Sequence, residues 1–188
     1  MSDQNSQDQD KIDEYLHVID ERILAPIQKT EVQHYCTATL LLLFAAIDGL
    51  GKLLHPNNRA GSNERIRRFL DYMDGDYKVH KKELLILRNS LVHNAINVAS
   101  FLSQTEMGRD QHLKKMGTAD FIYVNTVVMY EDFVDAFSRF RADIKHDLAM
   151  MKRAADRLEW REDNPVDHLD MNIATPTPPP PVQFIYAK

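Results

Sequence analysis

Cysteine is almost missing from this chain of 188 residues, because Cys36 is the single one. One cysteine excludes an intramolecular disulfide and a cysteine-based zinc site within one chain. The chain also has no excess of positive charge. The formal net charge is −5, whereas proteins that bind duplex DNA are usually broadly basic. We therefore expect a protein of a reducing compartment that does not bind duplex DNA.

Long apolar runs and an apolar N-terminal segment are also lacking. The N-terminus is polar and acidic and carries no signal-like stretch. The longest uncharged and mostly apolar run, Cys36–Ile47, is followed by Asp48 and Lys52 and is too short for a membrane span. We expect a cytoplasmic protein without a membrane partner, and we interpret this run as a buried core helix.

Helical periodicity dominates the chain and predicts a mainly α fold. Helices are expected at about 10–25, 30–54, 63–73, 78–95 and 126–160. Pro26 ends or kinks the first helix, and Ser62 caps the third. Segments 97–103 and 120–125 are rich in β-branched and aromatic residues. They could form a small β-hairpin between the fourth helix and the last.

Composition divides the chain into three parts. Residues 1–9 are polar and are expected to be disordered. Residues 10–160 form the helical domain. Residues 161–188 form an irregular tail, in which the proline-rich segment Thr175–Pro181 favours a polyproline II conformation.

The most informative segment is Leu84–Asn94, a helical apolar stripe interrupted by polar side chains. With about 100° of rotation per residue, Asn89 and His93 lie one turn apart on the flank of that stripe. Arg88 is adjacent and its side chain is long enough to reach them. A guanidinium, an amide and an imidazole together can bind a phosphodiester and move a proton.

This segment, Arg88-Asn89-Ser90-Leu91-Val92-His93, resembles the motif of the HEPN superfamily, in which four to six residues separate an Arg from a His and the first of them is usually polar. The resemblance covers about residues 10–150. It implies an up-and-down bundle of four to five helices. It also implies a metal-independent endoribonuclease without a cofactor, of the kind found in toxin–antitoxin and other defence systems. Members of the superfamily commonly form homodimers whose two motif helices line one cleft.

The chemistry of RNA cleavage assigns roles to these residues. His93 is the candidate base for the ribose 2′-OH, because an unperturbed imidazole has a pKa of about 6.5. Arg88 would hold the charge that develops on the phosphoryl oxygens. Asn89 would donate to phosphate or fix the imidazole tautomer, and Ser90 is a supporting residue that caps or packs.

Asp48 is the other supporting residue, because an isolated charge in the most apolar helix needs a partner. We expect that partner to be Arg88. Residues 59–88 hold eight Lys and Arg against five acids, a local charge of +3. The candidate RNA-binding residues in this region are Arg65, Arg67, Arg68, Lys78, Lys81 and Lys82.

Simpler interpretations stay open. Arg88 could be only the ion-pair partner of Asp48, with His93 a packing residue, and the run 65–68 could be a solvated face. The alternative to the enzyme is a catalytically inactive, dimeric HEPN-like scaffold or a regulatory binding module. Histidine spacing does not favour zinc, and His112 and His146 show no partner in the sequence. The aromatic stripe from Tyr130 to Phe140 indicates core or a dimer interface.

Overall fold

A computed structural model of the chain describes residues 2–29, 36–57, 59–73, 75–94, 108–115 and 122–163. Within these ranges the protein is almost entirely helical, which confirms the predicted mainly α fold. The α-helices are α1 (Ser2–Ile19), α2 (Ala25–Lys29), α3 (Cys36–Leu54), α4 (Ser62–Met73), α5 (Gly75–Val79), α6 (Lys81–Asn94), α7 (Thr126–His146) and α8 (Leu148–Asp163).

Helix α3 lies at the centre of the bundle and packs against α4, α6, α7 and α8. Its side chains Leu43, Ile47 and Leu50 are completely buried. By length and composition the whole of α3 could cross a membrane, although the run Cys36–Ile47 is by itself shorter than a membrane span. Half of its most apolar window is nevertheless buried inside the bundle, as in the core helix of a soluble protein. The fold is therefore compatible with a soluble protein.

The N-terminal helix is longer than the sequence predicts. Residues 2–9, expected to be disordered, belong to α1. This helix packs against α8, and Asp8 is buried near its start. Ile12, Leu16 and Ile19 enter the core at the predicted helical spacing. The burial of Asp8 shows that this polar extension of α1 is packed against the rest of the protein at that residue.

Two breaks in the helices have local causes. Pro26 does not end the helix, because α2 continues through it, but it has no N–H to donate to the residue four positions earlier, and a π-helical turn, Asp20–Leu24, precedes α2. The predicted single helix 126–160 is instead two helices, because Asp147 has an extended backbone. The Asp147 carboxylate accepts a hydrogen bond from the Met150 N–H at 2.9 Å and so caps the start of α8.

Helix α7 carries the aromatic part of the core. Asn125 caps its N-terminus by accepting hydrogen bonds from the N–H groups of Val127 and Val128, at 3.0 and 3.1 Å. The buried aromatic side chains of this helix are Phe133, Phe137 and Phe140. Phe133 and Phe137 stack on each other at 5.9 Å, and both Phe133 and Phe140 contact Phe69 of α4. The stripe is core, as one of the two alternatives predicted.

The proposed β-hairpin is not present among the residues that the structure describes. Its first arm, 97–103, lies outside them. At its second arm Ile122 makes an isolated antiparallel bridge with Lys115, and Leu113 N–H donates to the Tyr123 carbonyl at 2.7 Å. Ile122 and Tyr123 therefore pair with residues 113–115, and the described part of this arm, 122–125, contains an isolated bridge and no extended strand. The proline-rich tail also lies outside the described ranges.

The motif helix is shorter than predicted, because His80 separates α5 from α6. The predicted apolar stripe of α6 is confirmed. Leu84, Leu87 and Leu91 are buried in the core, whereas Ile86 and Val92 are about half exposed, at 49% and 50%. Arg88 and Ser90 accordingly lie at the two edges of the packed face. Asn89 lies on the opposite side of the helix, between Ile86 and Val92, so its expected position on the flank of the stripe is wrong.

Candidate functional site

The guanidinium of Arg88 is held on two sides by uncharged groups. Its Nη1 donates to the amide oxygen of Asn89 at 3.0 Å, and its Nη2 donates to the hydroxyl of Ser62 at 3.2 Å. Arg88, Asn89 and Ser62 are all half-buried. The contact confirms that the long arginine side chain reaches Asn89, as the sequence predicts.

The predicted ion pair between Asp48 and Arg88 is wrong. Asp48 is bound by the guanidinium of Arg65 through two bonds, Nε to Oδ1 at 2.6 Å and Nη2 to Oδ2 at 2.9 Å. This fork is the geometry in which a guanidinium and a carboxylate interact most strongly. The carboxylate accordingly raises the pKa of Arg65, chiefly through these hydrogen bonds.

Ser62 connects the two arginine sites. Its hydroxyl donates to Oδ2 of Asp48 at 2.9 Å while it accepts from Arg88. Three helices therefore contribute to one polar cluster, with Asp48 on α3, Ser62 and Arg65 on α4, and Arg88 on α6. We call this group of four residues the arginine cluster.

A glycine permits the close approach of α3 and α4 that creates the cluster. A Cβ atom built on Gly51 would lie 2.0 Å from the backbone oxygen of Arg65, a distance that no real side chain tolerates. Gly51 lies one helical turn after Asp48. The absence of a side chain at Gly51 therefore lets α4 bring Arg65 against the carboxylate.

Ser62 is free for this role because another residue caps α4. The Gly61 carbonyl accepts from the N–H groups of Glu64 and Arg65, which makes Gly61 the N-cap. The Glu64 carboxylate reaches back to the Gly61 N–H at 3.2 Å, as in a capping box. The predicted capping by Ser62 is therefore wrong by one position, and its hydroxyl faces Asp48 instead.

The remaining predicted site residues are placed as follows. The backbone of His93 belongs to α6, and its side chain is outside the described part of the structure. Ser90 is half-buried. Lys81 pairs with Asp71 at 2.5 Å, and Arg65 is occupied by Asp48. The candidate RNA-binding cations that remain exposed are Arg67, Arg68, Lys78 and Lys82.

A second polar cluster was missed by sequence reasoning, which gave His112 no partner. His112 is buried, and its Nδ1 accepts the Asn125 N–H at 3.0 Å. In a neutral imidazole the proton is then on Nε2, which lies 2.9 Å from the Tyr77 hydroxyl and donates to it. Tyr77 in turn donates to Asp132 at 2.9 Å. Tyr77, His112 and Asp132 are far apart in sequence, so no local sequence pattern could have predicted these hydrogen bonds.

Burial sets the protonation of this second cluster. It lowers the pKa of His112 from 6.5 to about 4, so the imidazole is neutral near pH 7. It also raises the pKa of Tyr77 well above its ordinary value, with Asp132 adding to the effect. Arg109 binds the other oxygen of Asp132, and its second Nη donates to Glu131 at 2.8 Å.

A cavity of about 300 Å³ opens beside this cluster, between α5, α7 and the 108–115 loop. Its lining includes Asp76, Arg109, Asp135 and Arg139, so its charges are mixed. The ring nitrogens of His112 and the hydroxyl hydrogen of Tyr77 are already used within the cluster. These hydrogen bonds therefore hold the 108–115 loop against α5 and α7, and the role of the cluster is to stabilise the fold.

Metal binding has no candidate among the residues that the structure covers, where no three or more His, Cys, Asp or Glu side chains are grouped to hold an ion. Comparisons of the chain with protein-family models, with curated proteins and with solved structures found no match.

Proposed function

We propose that this chain is a HEPN-type, metal-independent endoribonuclease whose reaction centre is formed by Arg88, Asn89 and His93. The observation that carries the proposal is the hydrogen bonding of Arg88. Arg65 takes both oxygens of Asp48, so the nearby carboxylate is bound by another guanidinium. Arg88 is held by hydrogen bonds to two neutral oxygens, so no ion pair compensates its positive charge, which can interact with a substrate.

The hydrogen bonds leave Arg88 suited to a phosphodiester. A guanidinium has five N–H donors, and the bonds to Asn89 and Ser62 use two of them. The other donors can bind phosphoryl oxygens, where negative charge accumulates as the 2′-OH attacks. Because Asn89 turns its oxygen to Arg88, its NH₂ group points elsewhere and can donate to phosphate or to the imidazole of His93.

In this proposal His93 accepts the proton of the ribose 2′-OH, and the oxygen so activated attacks the adjacent phosphorus. The bond to the 5′-oxygen of the next nucleotide breaks, and this oxygen takes up a proton, supplied by the protonated His93 or by water. The products are a 2′,3′-cyclic phosphate and a 5′-OH end, and a chelator has no effect on the reaction. The exposed Arg67, Arg68, Lys78 and Lys82 would attract RNA without reading its sequence.

We further propose that the enzyme acts as a cytoplasmic homodimer in a defence or toxin–antitoxin system, under the control of a regulatory protein. Ile86 and Val92 support the dimer, because both are large, about half exposed and located on the motif helix. A second copy packed on this helix would cover them and bring two motif segments together.

Expression in a bacterial host tests the proposal against the inactive-scaffold alternative. We expect induction of the wild-type protein to stop growth and to fragment cellular RNA. Arg88→Ala and His93→Ala should abolish both effects at equal expression levels. His146→Ala, which changes an exposed histidine at the end of α7, should remain toxic. Growth arrest that persists in His93→Ala would contradict the proposal, and harmless expression of every variant would favour the scaffold.

A further inference from the structure

The direction of each hydrogen bond at Ser62 is fixed by its two partners. Asp48 forms an ion pair with Arg65, and the carboxylate of an ion pair can only accept. Arg88 has donors only. The Ser62 hydroxyl must therefore point its hydrogen at Asp48 and its lone pair at Arg88, over distances of 2.9 and 3.2 Å. A single orientation of the hydroxyl satisfies both neighbours.

This arrangement places a hydroxyl between Arg88 and the carboxylate of Asp48 while it keeps Arg88 in place. If Asp48 bound Arg88 directly, the charge of the guanidinium would be compensated before a substrate arrived. Ser62 gives Arg88 a neutral acceptor that is polarised by Asp48. Asp48 is itself paired with Arg65, which lies three residues after Ser62 on the same helix.

We propose that Ser62 is a positioning residue that aims Arg88 at the scissile phosphate, with Asp48 and Arg65 fixing the hydroxyl. The inference rests on the proposed ribonuclease function and deepens it. Ser62 acts through Arg88 and does not touch the RNA. Two anchors, Asn89 on one Nη and Ser62 on the other, restrict the guanidinium plane, whereas one anchor would let it rotate.

The test compares Ser62→Ala, Ser62→Thr and Ser138→Ala in the full chain. Ser138 is an exposed serine on α7 whose hydroxyl donates to the Val134 carbonyl, so Ser138→Ala is a matched control. Steady-state cleavage of a labelled RNA gives kcat and KM. Anisotropy measures binding of the same oligonucleotide with a 2′-deoxy substitution at the cleavage site. Thermal unfolding verifies that each variant is folded, and Ser62→Cys replaces Ser62→Ala if the latter does not fold.

We expect Ser62→Ala to lower kcat by about 10- to 100-fold, because a misplacement of about 1 Å near the reacting atoms can have an effect of this size. KM and the binding of the 2′-deoxy RNA should stay close to wild type, since the lost interaction is needed only in the transition state. Ser62→Thr keeps a hydroxyl and should recover most of the activity. Ser138→Ala should match the wild type.

The two proposals fail in different ways. A wild-type protein that cleaves RNA, with an equally active Ser62→Ala, would overturn the role of Ser62 and leave the ribonuclease proposal standing. The role of Ser62 would also be overturned by an increase in KM at unchanged kcat, or by a Ser62→Thr variant as slow as Ser62→Ala. A wild-type protein without cleavage activity would overturn both proposals together.

Discussion

At the scale of the residue, two arginines lie near one carboxylate, and their positions decide their roles. Arg65 reaches Asp48 with the fork of its guanidinium, whereas Arg88 reaches it only through the Ser62 hydroxyl. Asp48 and Arg65 are mostly buried, with 22% and 28% of their side chains exposed. A bidentate pair at this burial contributes more to stability than a pair on the open surface.

Replacement of Arg65 should therefore destabilise the protein. Arg65→Met leaves a carboxylate without its main partner, and loss of a hydrogen bond to a charged group costs about 1–3 kcal/mol. Arg68→Met, which changes an exposed arginine of the same helix, should stay within about 0.5 kcal/mol of wild type. Urea unfolding measures both. Equal free energies of unfolding for the two variants would mean that the Asp48–Arg65 pair does not contribute to stability.

His112 should make stability depend on pH. The folded protein keeps this imidazole neutral down to a pKa of about 4, whereas in the unfolded chain it takes up a proton near pH 6.5. The unfolded state then binds more protons in this window, so the free energy of unfolding falls as the pH drops from about 6.5 to about 4. The contribution of one group is at most about 1.4 kcal/mol per pH unit.

Urea unfolding of wild type, His112→Gln and His146→Gln between pH 7 and pH 4.5 measures this dependence. His112→Gln removes the titrating group and should flatten the slope, whatever its effect on absolute stability. His146→Gln, at an exposed position, should keep the wild-type slope. An unchanged slope in His112→Gln would show that His112 is not held neutral by the fold.

At the scale of the element, the contact between α3 and α4 organises the arginine cluster. It depends on Gly51, where α4 passes with its backbone against the α3 helix. Gly49 is near Tyr15 instead, and a Cβ there would meet only the end of that side chain. A side chain at Gly51 would clash with backbone, whereas a side chain at Gly49 would clash only with the end of another side chain.

This difference predicts different effects of alanine. Gly51→Ala should cost at least about 1–3 kcal/mol, because the backbone of Arg65 must move away. Gly49→Ala should cost much less, since the Tyr15 side chain can shift and alanine favours a helix by about 1 kcal/mol. Thermal unfolding compares the two variants. A Gly51→Ala protein as stable as Gly49→Ala would show that the helices do not approach as closely as described.

The sequence pattern predicted those helices in which apolar residues recur at a regular helical spacing. Leu84, Leu87 and Leu91 of α6 are buried as the helical period requires. The break at Asp147 was not predicted, because one aspartate within an apolar periodicity looks like an exposed helical residue. Its capping of α8 becomes visible only in three dimensions. The helical state of residues 2–9 was not predicted either, because their sequence is polar and has no apolar periodicity.

At the scale of the whole molecule, the candidate site combines a segment visible in the sequence with contacts that are not. The nearness of Arg88 to Asn89 follows from helical geometry. The partner of Asp48 depends on which helices meet, and residues 14 and 17 positions away, Ser62 and Arg65, supply it. Sequence separation gives no hint of either contact. The mainly α fold could be predicted from the sequence, whereas the hydrogen-bond and ion-pair partners of its polar residues could not.

Cleavage of RNA by the purified protein in the presence of EDTA tests the central claim most directly. A labelled mixture of tRNA, rRNA fragments and mRNA would be incubated with wild type and with His93→Ala, and the product ends would be analysed. The account predicts that wild type leaves 2′,3′-cyclic phosphate and 5′-OH ends and that His93→Ala leaves the RNA intact. Equal cleavage by both proteins, or intact RNA with both, would contradict it.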